Sequence, residues 1–259
     1  MVKNIAKGIK AYLGTFKLIS QLGLWKYFGV PILISFITAL LIGFSAWGLS
    51  DNIGGFIAKI WFWDWGKETF TTISEFLGGA IVIAIGLILY KHIIMAFSAP
   101  FMSPVSEKIE HHLLGQKHTH RETTNTAQLI RGIRINVRNL VLELILTVPL
   151  LLLSFIPILN LVTTVLVFII QAYYAGFGNM DYTLERHFKY RESINFVKSN
   201  RGVAIGNGII FMAMLFIPVI GILIVLPLSV TASTTETVRL IHESGKLESK
   251  NLTSEILSH

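Results

Sequence analysis

The stretch Gly202 to Thr235, GVAIGNGIIFMAMLFIPVIGILIVLPLSVTASTT, runs for 34 residues without a formal charge. A break sits at its middle: Phe216-Ile217-Pro218-Val219-Ile220-Gly221. The same pattern occurs sixty-one positions earlier as Phe155-Ile156-Pro157-Ile158-Leu159-Asn160, inside another long uncharged run. A transmembrane helix needs ~20 apolar residues to cross ~30 Å of hydrocarbon. In the later run each arm has only about 14 or 15. Such arms are too short to cross and too apolar for water. They predict a helical hairpin that enters the membrane, turns part-way and returns. Backbone that turns at that depth must be shielded by protein or line a wet cavity, because lipid cannot satisfy its polar groups.

Composition agrees with a membrane location. The chain is 53% hydrophobic and 14% charged over 259 residues, where soluble domains average about 25% charged. No polar stretch is long enough for a separate globular domain, so residues 1–240 read as one membrane domain with a polar tail over 241–259. The chain has no cysteine, which excludes disulfides and thiolate metal sites. The net charge of +7 is assigned to membrane topology and anionic lipid rather than to nucleic acid.

Residues 1–22 read as an amphipathic surface helix. Val2, Ile5, Ile9, Tyr12, Phe16 and Ile19 recur at helical spacing, with Lys3, Lys7, Lys10 and Lys17 on another face. There is no uninterrupted apolar core or cleavage pattern of a signal peptide before the first span. The first transmembrane helix is predicted over 28–50, its regular part opened by Gly29-Val30-Pro31. The connector that follows carries Trp61, Trp63 and Trp65 as interfacial anchors. Thr72-Ile73-Ser74-Glu75 fits a capping box, which would start a second transmembrane helix over 73–98. Lys91 lies near its far end, where it would snorkel to the interface. Pro100 and Pro104 then bend or interrupt the chain. The first hairpin occupies 140–180, broken at Pro157 and Asn160. Its second arm, Leu161 to Met180, is long enough to cross, so full crossing and partial insertion both stay open. The second hairpin occupies 202–235, and Gly202, Gly206 and Gly208 suggest close helix packing there. Basic residues number five in the first 27 positions, six in 105–143 and five in 181–201, against two in 51–75. The positive-inside rule places 51–75 outside and the other polar segments inside.

Several groups could carry chemistry. Gly23-Leu24-Trp25-Lys26 precedes the first span, and free N–H groups at a helix start, aided by Lys26, form an anion site. Lys26 as a snorkelling helix-end lysine is the alternative. Arg131, Arg134 and Arg138 share a helical face suited to an anion or to phospholipid headgroups. Glu143 lies just inside an apolar arm; it is either a functional ionisable group or a carboxylate favoured by the helix dipole. His111, His112, His118 and His120 lack metal-ligand spacing and read as a solvated loop, and Asp181, Glu185, Arg186 and Arg191 as a salt-bridge network in a connector. No cofactor is called for. Leu240 stands where a phosphate-binding loop ending Gly245-Lys246 needs glycine, and Lys246 where a His242-Glu243 zinc motif needs histidine. Nor is there a Gly-x-Ser-x-Gly elbow, so the chain does not read as an enzyme.

The order of these features resembles the CysZ sulfate-permease family, whose wider relatives include the etoposide-induced protein group. The resemblance rests on Gly23-Leu24-Trp25-Lys26-Tyr27 with Pro31, on Ala99-Pro100-Phe101 with Glu107, on the paired Phe-Ile-Pro turns and on Met180-Asp181-Tyr182. It implies an all-α integral membrane protein with a surface helix, two long transmembrane helices and two Pro-broken, partly re-entrant hairpins, assembled into homo-oligomers. It also implies a sulfate site at a Gly-Leu-Arg turn before the first span. The matching positions are Gly23, Leu24 and Trp25, with Lys26 at a second basic position; Trp25 stands where the family has arginine. An indole offers one N–H donor where a guanidinium grips an oxyanion with two.

The expected function is an ATP-independent anion (sulfate) permease of the bacterial inner membrane, channel-like or ion-coupled. Its expected partners are an inorganic oxyanion, membrane lipids and further copies of the chain. Gly23, Leu24, Trp25 and Lys26 would bind the anion; Glu107, Arg131, Arg134, Arg138 and Glu143 are the candidates for pathway or gating. The rival reading is a non-transporting scaffold or lipid-binding, membrane-shaping protein.

Overall fold

The computed structural model describes residues 1–59, 66–115, 124–154, 156–217 and 220–245. These residues are helical almost throughout and contain no strand. The helices are α1 (Val2–Lys10), α2 (Thr15–Gln21), α3 (Gly29–Ala58), α4 (Lys67–Phe97), α5 (Ala99–Leu114), α6 (Asn125–Leu153), α7 (Pro157–His187), α8 (Tyr190–Ser199), α9 (Arg201–Leu215) and α10 (Ile220–Glu243), with a 3-10 turn at Leu24–Tyr27. Trp61, Trp63, Trp65, His118, His120, Phe155, Pro218 and the end of the tail lie outside the described residues.

By length and composition α3 and residues 158–187 of α7 can each cross a membrane, and α4 with α5 forms a third apolar unit bent by 66°. The bend falls at Ser98, with Pro100 in the first turn of α5. There the missing N–H of proline is no loss, so the helix restarts in a new direction. The outer surface is apolar: on α3 Phe44 is 64% and Trp47 80% exposed. Contiguous apolar exposure on this scale marks a surface made for lipid.

Nearly every helix runs past the boundary expected from charge. α3 continues through Asp51 to Ala58, and α6 begins at Asn125, fifteen residues before Leu140. A charge marks where the chain leaves hydrocarbon, but it does not end a helix whose neighbour continues beside it. Gly54 lies against the backbone of Glu75 and Gly78 against the Ser50 carbonyl, so α3 and α4 pair antiparallel well beyond the apolar run. The capping box is accordingly absent. α4 starts at Lys67 after Gly66, which adopts a left-handed φ of 72°, and the Thr72 hydroxyl donates to the Glu68 carbonyl from mid-helix. The single N-terminal helix expected over 1–22 is two helices, parted at Gly14 with φ of 88°. Ile5 and Gly8 of α1 pack on Gly206 of α9.

In the first hairpin the break precedes Pro157, where Ile156 is extended. Asn160 does not break the helix; it sits in the first turn of α7 and its side-chain amide donates to the Ser154 carbonyl at 2.9 Å, tying the turn together. In the second hairpin α9 has 15 residues, about 22 Å of helix and less than a crossing. α9 packs by small residues on two sides. Gly206 faces Ile5 of α1, while Ala204 and Gly208 face Gly176 and Ala172 of α7. This is the small-xxx-small spacing that lets membrane helices approach backbone to backbone.

Candidate functional site: a polar interior beneath a basic turn

The apolar exterior encloses a strongly polar core centred on α7. In a bilayer such groups face the bundle interior and pair with one another, and three ionic groups do so here.

The first joins α4 to α6. Lys91 Nζ lies 2.6 Å from Glu143 Oε1, and both side chains are fully buried. Lys91 also donates to the Gln171 carbonyl at 3.3 Å. His92 Nε2 lies 3.0 Å from Glu143 Oε2, and its Nδ1 3.4 Å from Asn136 Oδ1. The expectation that Lys91 snorkels outward is therefore corrected. The helix continues past it into α5, and a buried carboxylate waits on the facing helix.

The second joins α6 to α7 and α8. Arg131 grips Asp181 with two N–H groups, at 3.0 and 2.9 Å, and donates to the Phe188 carbonyl at 2.8 Å and to Ser193 Oγ at 2.6 Å. Burial is the largest influence and opposes its charge, but the charge and hydrogen bonds of Asp181, with the charge of Glu185, together outweigh it and hold the guanidinium protonated more firmly than usual.

The third joins α5 to α7. Arg186 donates to Glu110 Oε2 at 2.9 Å, to Ser106 Oγ at 2.7 Å and to the carbonyls of Ser103 and Tyr182. His187 Nε2 lies 2.6 Å from Glu110 Oε1, and Ser103 donates its hydroxyl to Glu185. Asp181, Glu185 and Arg186 are thus buried inside α7 and bonded to other helices, rather than forming a solvated network in a connector. His111 and His112 belong to helix α5 rather than to a loop.

A neutral network completes the core. Asn207 of α9 accepts from Asn179 Nδ2 at 2.8 Å and donates to the Ser229 carbonyl at 3.0 Å. Tyr12 donates its hydroxyl towards the Asn207 carbonyl, 2.9 Å away, and Ser229 Oγ, 2.7 Å away. Burial pushes the Tyr12 phenol well above its ordinary range, the Ser229 contact offsetting only part of that.

At the turn before α3, Gly23 takes a left-handed φ of 61°, a conformation glycine adopts without penalty. Leu24 is fully buried, backbone included, and anchors the turn in the core. Trp25 is half-exposed; its indole N–H is committed to Ser20 Oγ at 3.1 Å, and its ring lies against Phe16 and Phe28. Lys26 is exposed, with Nζ 5.5 Å from the centre of the Tyr27 ring. Lys108 of α5, which the sequence reading did not single out, reaches the same ring at 5.5 Å. Among the described residues neither lysine has a carboxylate partner.

The other candidates separate. Glu143 and Arg131 belong to the interior. Arg138 is partly buried, donating to Asn139 Oδ1 at 2.9 Å, whereas Arg134 is exposed and stacked 4.1 Å over the Tyr190 ring. Glu107 is near the surface, 4.0 Å from His111. Sequence reasoning missed Lys91 and Glu143 as partners, although the signal was present. Lys91 is the lone formal charge between Glu75 and Glu107, and Glu143 the lone one between Arg138 and Asp181. Among the described residues no group of three His, Cys, Asp or Glu could hold a metal ion.

The family model described as sulfate transporter CysZ/etoposide-induced protein 2.4 matches residues 11–225, which include the basic turn, α5 and all three ionic groups. No curated protein matches the chain.

Proposed function

The chain belongs to the sulfate transporter CysZ/etoposide-induced protein 2.4 family, and on that premise we propose that it is an ATP-independent permease for sulfate or a similar oxyanion. The observation that carries this reading is the meeting of Lys26 and Lys108 beside Tyr27. Two exposed cations from separate elements, without carboxylate partners among the described residues, flank the glycine turn that opens α3. Two ammonium groups beside one ring attract a doubly charged anion as paired point charges. The Trp25 indole is held by Ser20 and the Gly23 N–H by the Ser20 carbonyl, so the attraction comes from the two lysines that the turn positions.

Behind this capture site, α5 carries Ser103, Ser106 and Glu110 towards Arg186 on its buried side. In this reading the polar core along α7 is the interior of the path, with Arg131 and Glu143 among its gating residues. It is shut by its own ion pairs, and passage requires them to exchange partners with the anion.

Binding of labelled sulfate to the purified protein tests the capture site. Lys26→Gln and Lys108→Gln are each expected to weaken it several-fold, and Lys26→Glu with Lys108→Glu to abolish it. Both side chains are exposed, so folding should be unaffected. Unchanged binding in the double variant would remove this site.

A further inference from the structure

We propose that a pocket between α7 and the α8–α9 corner binds an anionic glycerophospholipid, its phosphate held by Lys198 and Arg201 and its acyl chain by the apolar floor. The pocket encloses about 470 Å³, within the range of small-molecule sites. Part of the lining is basic and aromatic: Lys198, Arg201, Tyr173 and Tyr174. The rest of the lining is aliphatic: Leu146, Ile169, Ile170 and Ile205. The position of the two cations follows the membrane boundary. Arg201 is the last formal charge before the 34-residue uncharged run that begins at Gly202. The two cations therefore lie at headgroup level, and Leu146, Ile169 and Ile170, further along the apolar runs of α6 and α7, at acyl level.

Charge selects the occupant. Lys198 and Arg201 are exposed, and among the described residues neither has a carboxylate partner. Arg138 adds a third cation nearby, its guanidinium 5.5 Å from the ring of Phe177, which meets Tyr173 edge-on. Arg201 is also the first residue of the 15-residue helix α9, whose dipole favours a negative group at that end. A zwitterionic lipid would fill the aliphatic lining equally well but would leave this positive charge unanswered. Basic pockets between membrane helices recognise anionic headgroups on these grounds. The inference is independent of the transport reading, because it needs only the membrane location.

Native mass spectrometry of the full chain tests it, with phosphatidylglycerol and phosphatidylcholine added in turn. Phosphatidylglycerol is expected to be retained preferentially. Lys198→Gln with Arg201→Gln should lower that retention by about tenfold or more, since each cation near a surface contributes ~1 kcal/mol, and leave phosphatidylcholine unchanged. Ile170→Trp, which fills the floor, should reduce both lipids. Equal retention of the two lipids by the natural chain would overturn the proposal, as would a double variant that keeps its phosphatidylglycerol. If inorganic sulfate binds at Lys198 and Arg201 while phosphatidylglycerol does not, the pocket is a free-anion site and the lipid assignment fails.

Discussion

Glu143→Leu is expected to destabilise the protein by about 3–5 kcal/mol, the usual cost of removing one partner of a buried ion pair. The Lys91 ammonium would keep only the Gln171 carbonyl, 3.3 Å away, in a position with no solvent exposure. His92, 3% exposed, would lose the same carboxylate. In thermal unfolding in detergent the transition should fall by roughly ten degrees. The informative control is Lys91→Met combined with Glu143→Leu. Replacing both members of a buried pair by apolar groups of similar size is often neutral, so the double variant should regain much of what the single one lost. A single variant that melts like the natural chain would show that Lys91 and Glu143 are not coupled.

Gly208→Leu is expected to prevent α9 from docking altogether. Its Cβ would fall on the carbonyl oxygen of Ala172, and a Cβ at Gly176 would fall on that of Ala204. These neighbours are backbone atoms in helices, which cannot move aside as a flexible side chain can. Asn207 would be displaced as well, breaking its bonds to Asn179 and Ser229. Size-exclusion chromatography of the purified variant should give aggregate in place of a single species. Gly43→Ala provides the contrast, because nothing lies within 4 Å of a Cβ there. It should be neutral or slightly stabilising, by up to ~1 kcal/mol, through helix propensity. A well-behaved Gly208→Leu protein would contradict the packing described.

Much of this architecture is legible in the sequence, because membrane helices announce themselves by apolar run length. Pro31, Pro100 and the Phe155–Asn160 pattern each lie where a helix opens or turns. The glycines of α9 likewise signalled close packing, though not that Gly206 and Gly208 serve different neighbours. Helix ends were less legible. Thr72 and Glu75 have the right spacing for a cap, but α3 runs alongside and keeps the helix going. The turn at Gly23 was visible as local chemistry; Lys108 was not, because only the fold of α5 brings it to Tyr27. Pairings across helices failed for the same reason. Asp181 has Glu185 at i+4 and Arg186 at i+5, yet the real partners of Asp181 and Arg186, Arg131 and Glu110, are distant in sequence. The pairing of Lys91 with Glu143 was within reach, since two lone opposite charges buried in neighbouring apolar helices have little choice but each other.

The central property is movement of an oxyanion across a bilayer. Labelled sulfate uptake into proteoliposomes holding the full chain, without nucleotide, tests this most directly. The natural protein is expected to show saturable uptake above empty vesicles, abolished by Lys26→Glu with Lys108→Glu. Protein that is folded and inserted yet passes no more sulfate than empty vesicles would contradict the permease reading and leave a membrane-bound scaffold in its place.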